Sequence, residues 1–188
     1  MKEEIPFTRV HRLINPGPVV LVTAKYKDRV NVMTAAWAVP ISLRPPLVGV
    51  AIAPRCFTHD LIRRSEQFAL NIPGRALLEQ VKLCGTLSGH DVDDKFEAAG
   101  LTPVDALEID APLIEECLGH LECALVEAIT LGDHTLFVGE VIAAQVEREA
   151  FDETWLLEEE EAKPLHHLGG EFYALLEERI EVKPQPEE

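Results

Sequence analysis

The sequence predicts a mainly β domain: an antiparallel β-barrel with a few helices packed on its outside. Two long β-rich runs, at residues 118–129 and 135–148, are joined by a turn at Gly132-Asp133. Such a long antiparallel pair suits a barrel better than a flat, open sheet. The predicted element order, β-β-β-α-β-α-α-β-β, also lacks the regular strand–helix alternation of a doubly wound parallel sheet.

The first strands are predicted close to the N terminus. A short helix at residues 8–13 ends in a segment rich in proline and glycine. Residues 19–26 and 30–37 contain many β-branched residues and flank a polar turn, which predicts a hairpin.

A proline-punctuated loop is expected after this hairpin, at residues 40–46. Residues 47–53 are nearly all apolar, as in a strand that is covered on both faces. A helix is expected at residues 58–65, with Thr58 as its N-cap.

A further strand is predicted at residues 67–72. Helices follow at residues 76–84 and near 92–99, where Gly100 ends the second of them. We expect one barrel domain over residues 1–150. An extension at 151–188 should pack on the barrel or on a partner subunit and end in a polar tail from about residue 183.

Length and composition predict one well-buried domain, since the chain has 188 residues and 47% of them are hydrophobic. No apolar run is long enough to span a bilayer, and the first residues lack the apolar core of a signal peptide. We therefore expect a cytoplasmic protein.

The formal net charge of −16 argues against a surface that binds nucleic acid or an anionic membrane. It leaves room for a cofactor that carries phosphate. Salt screens distant charges over about 8 Å, so a few local cations and backbone N–H groups decide such a site.

The four cysteines form no C-x-x-C pair and lie in apolar surroundings, which favours buried free thiols over a metal or disulfide site. The seven histidines show no spacing typical of metal ligands. No metal is expected. The sequence also contains no Walker A loop and no G-x-G-x-x-G motif after a strand.

Polar and small residues interrupt the strand at 30–37. Asn31 offers a donor and an acceptor, Trp37 offers an indole N–H, and Ala35 and Ala36 would let a flat ring approach the backbone. The alternative is an edge strand with a solvated face and a tryptophan in the core.

Residues 54–60 form a candidate anion site, because a strand there leads into the N-terminus of a helix. Arg55 would add charge and Thr58 a hydroxyl. Ser88 and Lys95 are a second candidate phosphate contact. The alternative is that Thr58 only caps its helix and that Arg55 is solvated.

His134 stands where the turn at Gly132-Asp133 meets a strand. A rigid element would hold its imidazole while the ring faces a cavity. The alternative is an ordinary surface histidine.

Four segments, taken in order, resemble the flavin reductase-like family, and more closely its flavoredoxin branch. They are PVVLVTAKYKDRVNVMTAAW, PPLVGVAIAPRCFTHDLI, CGTLSGHDVDDKF and GDHTLFVGEV. The resemblance runs from about Pro18 to Arg148, with a weaker echo at LHHLGGEFY.

The resemblance implies a Greek-key FMN-binding split barrel and a homodimer with FMN near the subunit interface. By the same analogy, one group of residues contacts the isoalloxazine ring: Asn31, Trp37 and the backbone of Met33, Thr34, Ala35 and Ala36. Arg55, Thr58 and Lys95 would hold the phosphate or ribityl chain with Ser88 nearby. His134 would lie by the flavin, and the region of Phe172 and Tyr173 would close the pocket.

The expected reaction is hydride transfer from NADH or NADPH to FMN, followed by release of electrons to a second acceptor. The cofactor carries this chemistry, so no acid–base pair is needed and no residue is assigned as catalytic. The alternative is a flavoredoxin-type electron carrier that a redox protein partner reduces. A third interpretation is a dimeric barrel that binds another planar ligand.

Overall fold

The structure is a computed structural model that describes residues 2–182. Its α-helices are α1 (Phe57–Ser65), α2 (Leu78–Thr86) and α3 (Lys95–Ala99), and three short 3₁₀ helices lie at Phe7–Leu13, Arg75–Leu77 and Glu160–Ala162. The strands are β1 (Gly17–Pro18), β2 (Val20–Tyr26), β3 (Arg29–Ala35), β4 (Ala38–Leu43), β5 (Pro46–Ile52), β6 (Gln67–Ile72), β7 (Pro103–Val104), β8 (Leu113–Ile114), β9 (Gly119–Leu131), β10 (His134–Val146), β11 (Phe151–Asp152), β12 (Thr154–Trp155), β13 (Leu165–Gly169) and β14 (Phe172–Leu175).

Seven strands form one antiparallel sheet in the order β3-β2-β6-β9-β10-β5-β4. Its centre is the long pair β9 and β10, which runs from His134 opposite Leu131 to Val146 opposite Gly119. The register shifts twice along this pair, and such irregularities bend a sheet and increase its twist. The prediction of a mainly β, antiparallel fold with peripheral helices is confirmed.

The first five residues of strand β2 are all buried. Since successive side chains of a strand point in opposite directions, both faces of β2 are covered. Val22 packs with Phe68, Phe137 and helix α1 on one side of the sheet. Leu21 packs with residues of α2 and α3 on the other side. The sheet is therefore covered by α1 on one face and by α2 and α3 on the other.

Two local predictions were wrong. Residues 38–43 form strand β4, where the prolines had predicted a loop; Pro40 is tolerated because β4 is an edge strand. Thr58 is not an N-cap, since α1 begins at Phe57 and no side chain caps it. In addition, β3 ends at Ala35, so that Trp37 lies in the link to β4.

The C-terminal segment returns to the start of β2. Strand β13 pairs with β1, and the Val19 amide donates to the Leu165 carbonyl oxygen at 2.9 Å. Strand β14 then pairs with β13 and brings Tyr173 beside His167. The predicted tail from residue 183 lies outside the described residues. No helix between residues 2 and 182 combines the length and apolar character needed to cross a bilayer.

Gly139 is needed where β10 crosses the core. A Cβ at this position would lie 2.6 Å from Phe68 Cζ and 2.9 Å from Cys123 Cβ, which is inside van der Waals contact. We expect Gly139→Ala to lower the free energy of unfolding by about 1–2 kcal/mol, as measured by urea denaturation. An unchanged midpoint would show that this part of the core relaxes freely.

Candidate functional site

A hollow of about 240 Å³ lies between the start of α1, strand β3 and the segment that ends α2 and follows it. Helix α1 supplies one wall and residues 84–89 the opposite wall. Seven of the residues predicted from sequence line it: Asn31, Met33, Thr34, Arg55, Thr58, Ser88 and Lys95.

Asn31 and Thr58 form a buried polar pair in this hollow. Asn31 Nδ2 donates to Thr58 Oγ1 at 2.7 Å, and both side chains are at most 3% exposed. The bond accounts for the position of Thr58 in α1, because its hydroxyl faces β3 instead of closing the end of the helix. Buried polar groups are costly unless they are paired, so this bond holds β3 and α1 in register at the hollow.

Gly89 lets the opposite wall come close to this pair. A Cβ on Gly89 would collide with Asn31 Oδ1 and would lie 2.8 Å from Phe57 Cδ1. Only a residue without a side chain can pass here without displacing Asn31 or Phe57. The hollow is thus shaped by a backbone segment that packs against its key polar side chain.

Lys95 is a buried cation behind the same segment. It is 4% exposed, and its Nζ donates to the carbonyl oxygens of Cys84 and Leu87, each at 2.8 Å. Burial lowers its pKa below the usual lysine value. An ammonium group has three donors, so one N–H remains for a further partner.

A second hollow of about 300 Å³ adjoins the first and shares Thr34, Gly85 and Thr86 with it. Ala36 and Tyr173 also line this second hollow. Thr34 Oγ1 donates to the Val81 carbonyl oxygen at 2.5 Å and so ties β3 to α2 at the junction. We call the two hollows together the cleft.

The C-terminal strands close the far side of the cleft. Lys82 Nζ lies 2.5 Å from Glu171 Oε2, which links α2 to the β13–β14 turn. The rings of His167 and Tyr173 are 5.1 Å apart, and His167 Nε2 lies 3.0 Å from the Gly170 carbonyl oxygen. Burial raises the pKa of Tyr173 above its ordinary value, which keeps the phenol neutral.

Trp37 and His134 lie together outside both hollows. Their ring centroids are 4.8 Å apart, and Trp37 is 42% exposed. His134 Nδ1 lies 2.7 Å from Asp133 Oδ1, and this hydrogen bond is the main reason why the pKa of Asp133 is lowered. The positive charge of Arg55, a residue that lines the first hollow, lowers this pKa further.

The structure thus gathers nine of the twelve predicted site residues in the cleft. Ala35 is buried in the core, and Trp37 and His134 form the separate pair. Sequence reasoning missed Cys56, Phe57, Gly89 and the backbone of residues 84–87. Gly89 lies in the segment CGTLSGHD, which was one of the segments that resemble the family. The sequence could not show that Gly89 packs against Asn31 and Phe57, because that contact depends on the fold.

A family model described as "Flavin reductase like domain" matches residues 11–175. The chain belongs to this family. The chain is 38% identical to an uncharacterized protein of Pyrococcus abyssi over 142 residues, which are 76% of this chain and 81% of that protein.

Two solved structures resemble the flavin reductase-like chain over nearly its whole length. The flavoredoxin of Desulfovibrio vulgaris superposes with a TM-score of 0.84 at 28% identity, covering 97% of each chain. An FMN-binding protein of Thermus thermophilus superposes with a TM-score of 0.82 at 28% identity, covering 97% of this chain and 98% of that one. The family resemblance predicted from the four sequence segments is confirmed.

Proposed function

We propose that the cleft binds FMN and that the protein is an NAD(P)H-dependent flavin reductase. The observation that carries this proposal is the buried Asn31–Thr58 pair, which stands in one hollow with the Lys95 cation and beside a second hollow with a small-residue wall. A flat ring with a phosphate tail needs such a combination of polar anchor, local cation and open slot.

The phosphate end of FMN would lie at the start of α1. The helix has nine residues, and its N-terminal N–H groups have no side-chain cap. Free N–H groups at a helix N-terminus attract anions, and Arg55 adds a positive charge at the rim. Lys95 has one donor left and would add a second cation, which offsets the negative charge of the whole protein locally.

The ring end would lie along β3 towards the second hollow. Ala36 and Gly85 offer little side-chain bulk there, so a planar group can approach the backbone. Gly89 fits the same purpose, because a side chain at that position would fill the space beside Asn31. When bound, the flavin supplies the redox chemistry, since its ring accepts a hydride and passes electrons on.

Trp37 and His134 would line the approach to the ring from the rim. Trp37 directly follows Ala36, which lines the second hollow, and its ring lies 4.8 Å from that of His134, which supports this placement. The work of the protein is to orient the ring, exclude water from one side and keep the other side open to the electron donor.

A flavoredoxin-type carrier is the second candidate. Two features favour it: the overall likeness to the flavoredoxin of D. vulgaris, and the net charge of −16, which suits a basic protein partner. The open second hollow favours the reductase, because a nicotinamide needs room beside the ring.

Three measurements test the function. Purified protein should be yellow and release FMN on denaturation; colourless protein that ignores added FMN would contradict both candidates. Anaerobic mixing with NADH or NADPH should bleach the flavin quickly if the protein is a reductase. Bleaching only by a reduced redox protein would establish the carrier.

Asn31→Ala and Thr58→Ala should each weaken FMN binding about tenfold, because each removes one member of a buried hydrogen-bonded pair. Isothermal titration calorimetry with FMN measures the effect. Glu159→Gln, in the exposed acidic run, should leave the affinity unchanged. Unaltered FMN affinity in both cleft variants would refute this site.

We further propose a homodimer that buries the exposed apolar surface of β4 and the N-terminal 3₁₀ helix. Leu43 is 90% exposed and Phe7 is 92% exposed. Val39 and Ile41 of β4 are also exposed. A monomer rarely leaves so many large apolar side chains in water. Sedimentation equilibrium should give twice the chain mass of 20.9 kDa; a monomer at micromolar concentration would contradict the proposal.

A further inference from the structure

A third hollow, of about 200 Å³, lies where the β2–β3 hairpin meets helix α1. We call it the outer hollow. Its lining consists of Tyr26, Arg29, Phe57, Asp60, Leu61 and Arg64. Phe57 also lines the first hollow of the cleft, so the two hollows meet at this residue.

Strand register and helix spacing bring the two walls of the outer hollow together. Tyr26 and Arg29 are directly opposite each other in the β2–β3 pair, so their side chains lie on the same face of the sheet. Asn31 follows two positions after Arg29 and shares this face. On α1, Phe57 and Arg64 are seven positions apart, which is close to two full turns. The face of β3 that meets α1 at Asn31 therefore continues outward to Arg29.

Cations and aromatic rings pair across the two walls. Arg29 Cζ, from the strand, lies 4.8 Å from the centre of the Phe57 ring, and Arg64 Cζ, from the helix, lies 5.9 Å from the centre of the Tyr26 ring. Lys27 Nζ lies 5.4 Å from the same Tyr26 ring. Cation–π contacts of this length hold a guanidinium in place without using its N–H donors.

The charge of the outer hollow is opposite to that of the whole chain. Among residues 2–182, neither Arg29 nor Arg64 forms an ion pair with a carboxylate, although the chain has 33 acidic and 17 basic residues. Asp60 also lines the hollow and would oppose an anion. Two guanidinium groups against one carboxylate still leave a positive charge, and the planar fork of arginine matches the oxygens of a phosphate.

We propose that the outer hollow binds a nucleotide phosphate beyond that of FMN: the adenylate phosphate of FAD or the 2′-phosphate of NADPH. This inference rests on the proposed flavin site, which puts the flavin phosphate at the start of α1, beside Phe57. A flavin that carries AMP on that phosphate would continue into the outer hollow. A nicotinamide donor extended along the flavin would reach the outer hollow with its adenosine end.

Two comparisons distinguish the sources of the phosphate. Calorimetric titration of the flavin-free protein compares FAD with FMN. Anaerobic bleaching of the FMN-loaded protein compares the half-saturating concentrations of NADPH and NADH. We expect a preference of about tenfold for the partner with the additional phosphate in at least one comparison, because a charge-assisted hydrogen bond is lost in the other partner. A preference for FAD identifies the adenylate phosphate, and a preference for NADPH identifies the 2′-phosphate.

Charge variants test whether the outer hollow causes the preference. Arg29→Gln and Arg64→Gln should each reduce it to near one and leave the affinity for FMN unchanged. Asp60→Asn should increase it, because the opposing carboxylate is removed. Arg63→Gln is the matched control, since it removes the same charge from an exposed neighbour on α1 that does not line the hollow.

The results separate this proposal from the proposed function. Protein that binds FMN but shows neither preference, or a preference that survives both Arg29→Gln and Arg64→Gln, would overturn the role of the outer hollow alone. Protein that binds no flavin would overturn the proposed function as well. An equal loss of preference in Arg63→Gln would assign the effect to the general charge of α1 and would also overturn the proposal.

Discussion

Lys95→Met should weaken FMN binding about a hundredfold, because a charge-assisted hydrogen bond to the phosphate contributes about 1.5–3 kcal/mol. The free energy of unfolding should change much less. Methionine fills similar space and does not incur the cost of burying a charge, although two carbonyl oxygens, of Cys84 and Leu87, lose their donor. Calorimetric titration with FMN and urea unfolding measure the two quantities separately.

The pH dependence gives an independent check on Lys95. Burial lowers its pKa below 10.5 in the free protein, and a bound phosphate would raise that pKa again. FMN affinity should therefore be constant at neutral pH and fall as the pH rises through the Lys95 pKa of the free protein. In Lys95→Met this alkaline loss should disappear. A Lys95→Met variant that is less stable to unfolding but binds FMN with wild-type affinity would show that Lys95 has a structural role only.

Gly89→Ala should raise the Kd for FMN roughly thirtyfold, which corresponds to about 2 kcal/mol of overpacking. The added methyl group would collide with Asn31 Oδ1 and press on Phe57, so Asn31 has to move and its bond to Thr58 is lost. The effect should appear in flavin affinity more than in stability, because the displaced atoms line the hollow.

Gly139→Ala is the matched control, since it adds the same methyl group to a crowded part of the core that lines neither hollow of the cleft. There the new Cβ would lie 2.6 Å from Phe68 Cζ. Its effect on the Kd should be much smaller. Equal effects of the two substitutions would mean that the contact between Gly89 and Asn31 does not shape the hollow.

The fold class could be predicted from the sequence because the local residue patterns agree with the topology of the sheet. Runs of β-branched residues or of alternating apolar residues predicted β2, β6, β9 and β10 within a few residues, and the tight turn at Gly132 predicted the pairing of the two longest strands. Strand β4 was missed because its prolines are typical of loops. Its position at the sheet edge, which makes Pro40 harmless, is a property of the assembled sheet.

The candidate site was predictable where a residue's own chemistry marks it. Asn31 stood out as an amide in an apolar strand and Arg55 as a cation before a helix. The role of Thr58 was different from that expected, because its hydroxyl meets Asn31 from a strand 27 positions earlier in the chain. His134 and Trp37, which were expected beside the flavin, lie next to each other outside both hollows, and their contact with a flavin stays a prediction.

From its residues alone, the chain determined a β-rich antiparallel domain, the polar interruptions in its strands and a strongly acidic surface, since these depend on side-chain type and short-range spacing. Tertiary structure decided which groups meet in the cleft: the Asn31–Thr58 bond and the passage of Gly89 beside Asn31. Hydrogen bonds and close packing act over only a few ångströms, whereas these residues are far apart in the chain. The contacts therefore form only when folding has brought the residues together.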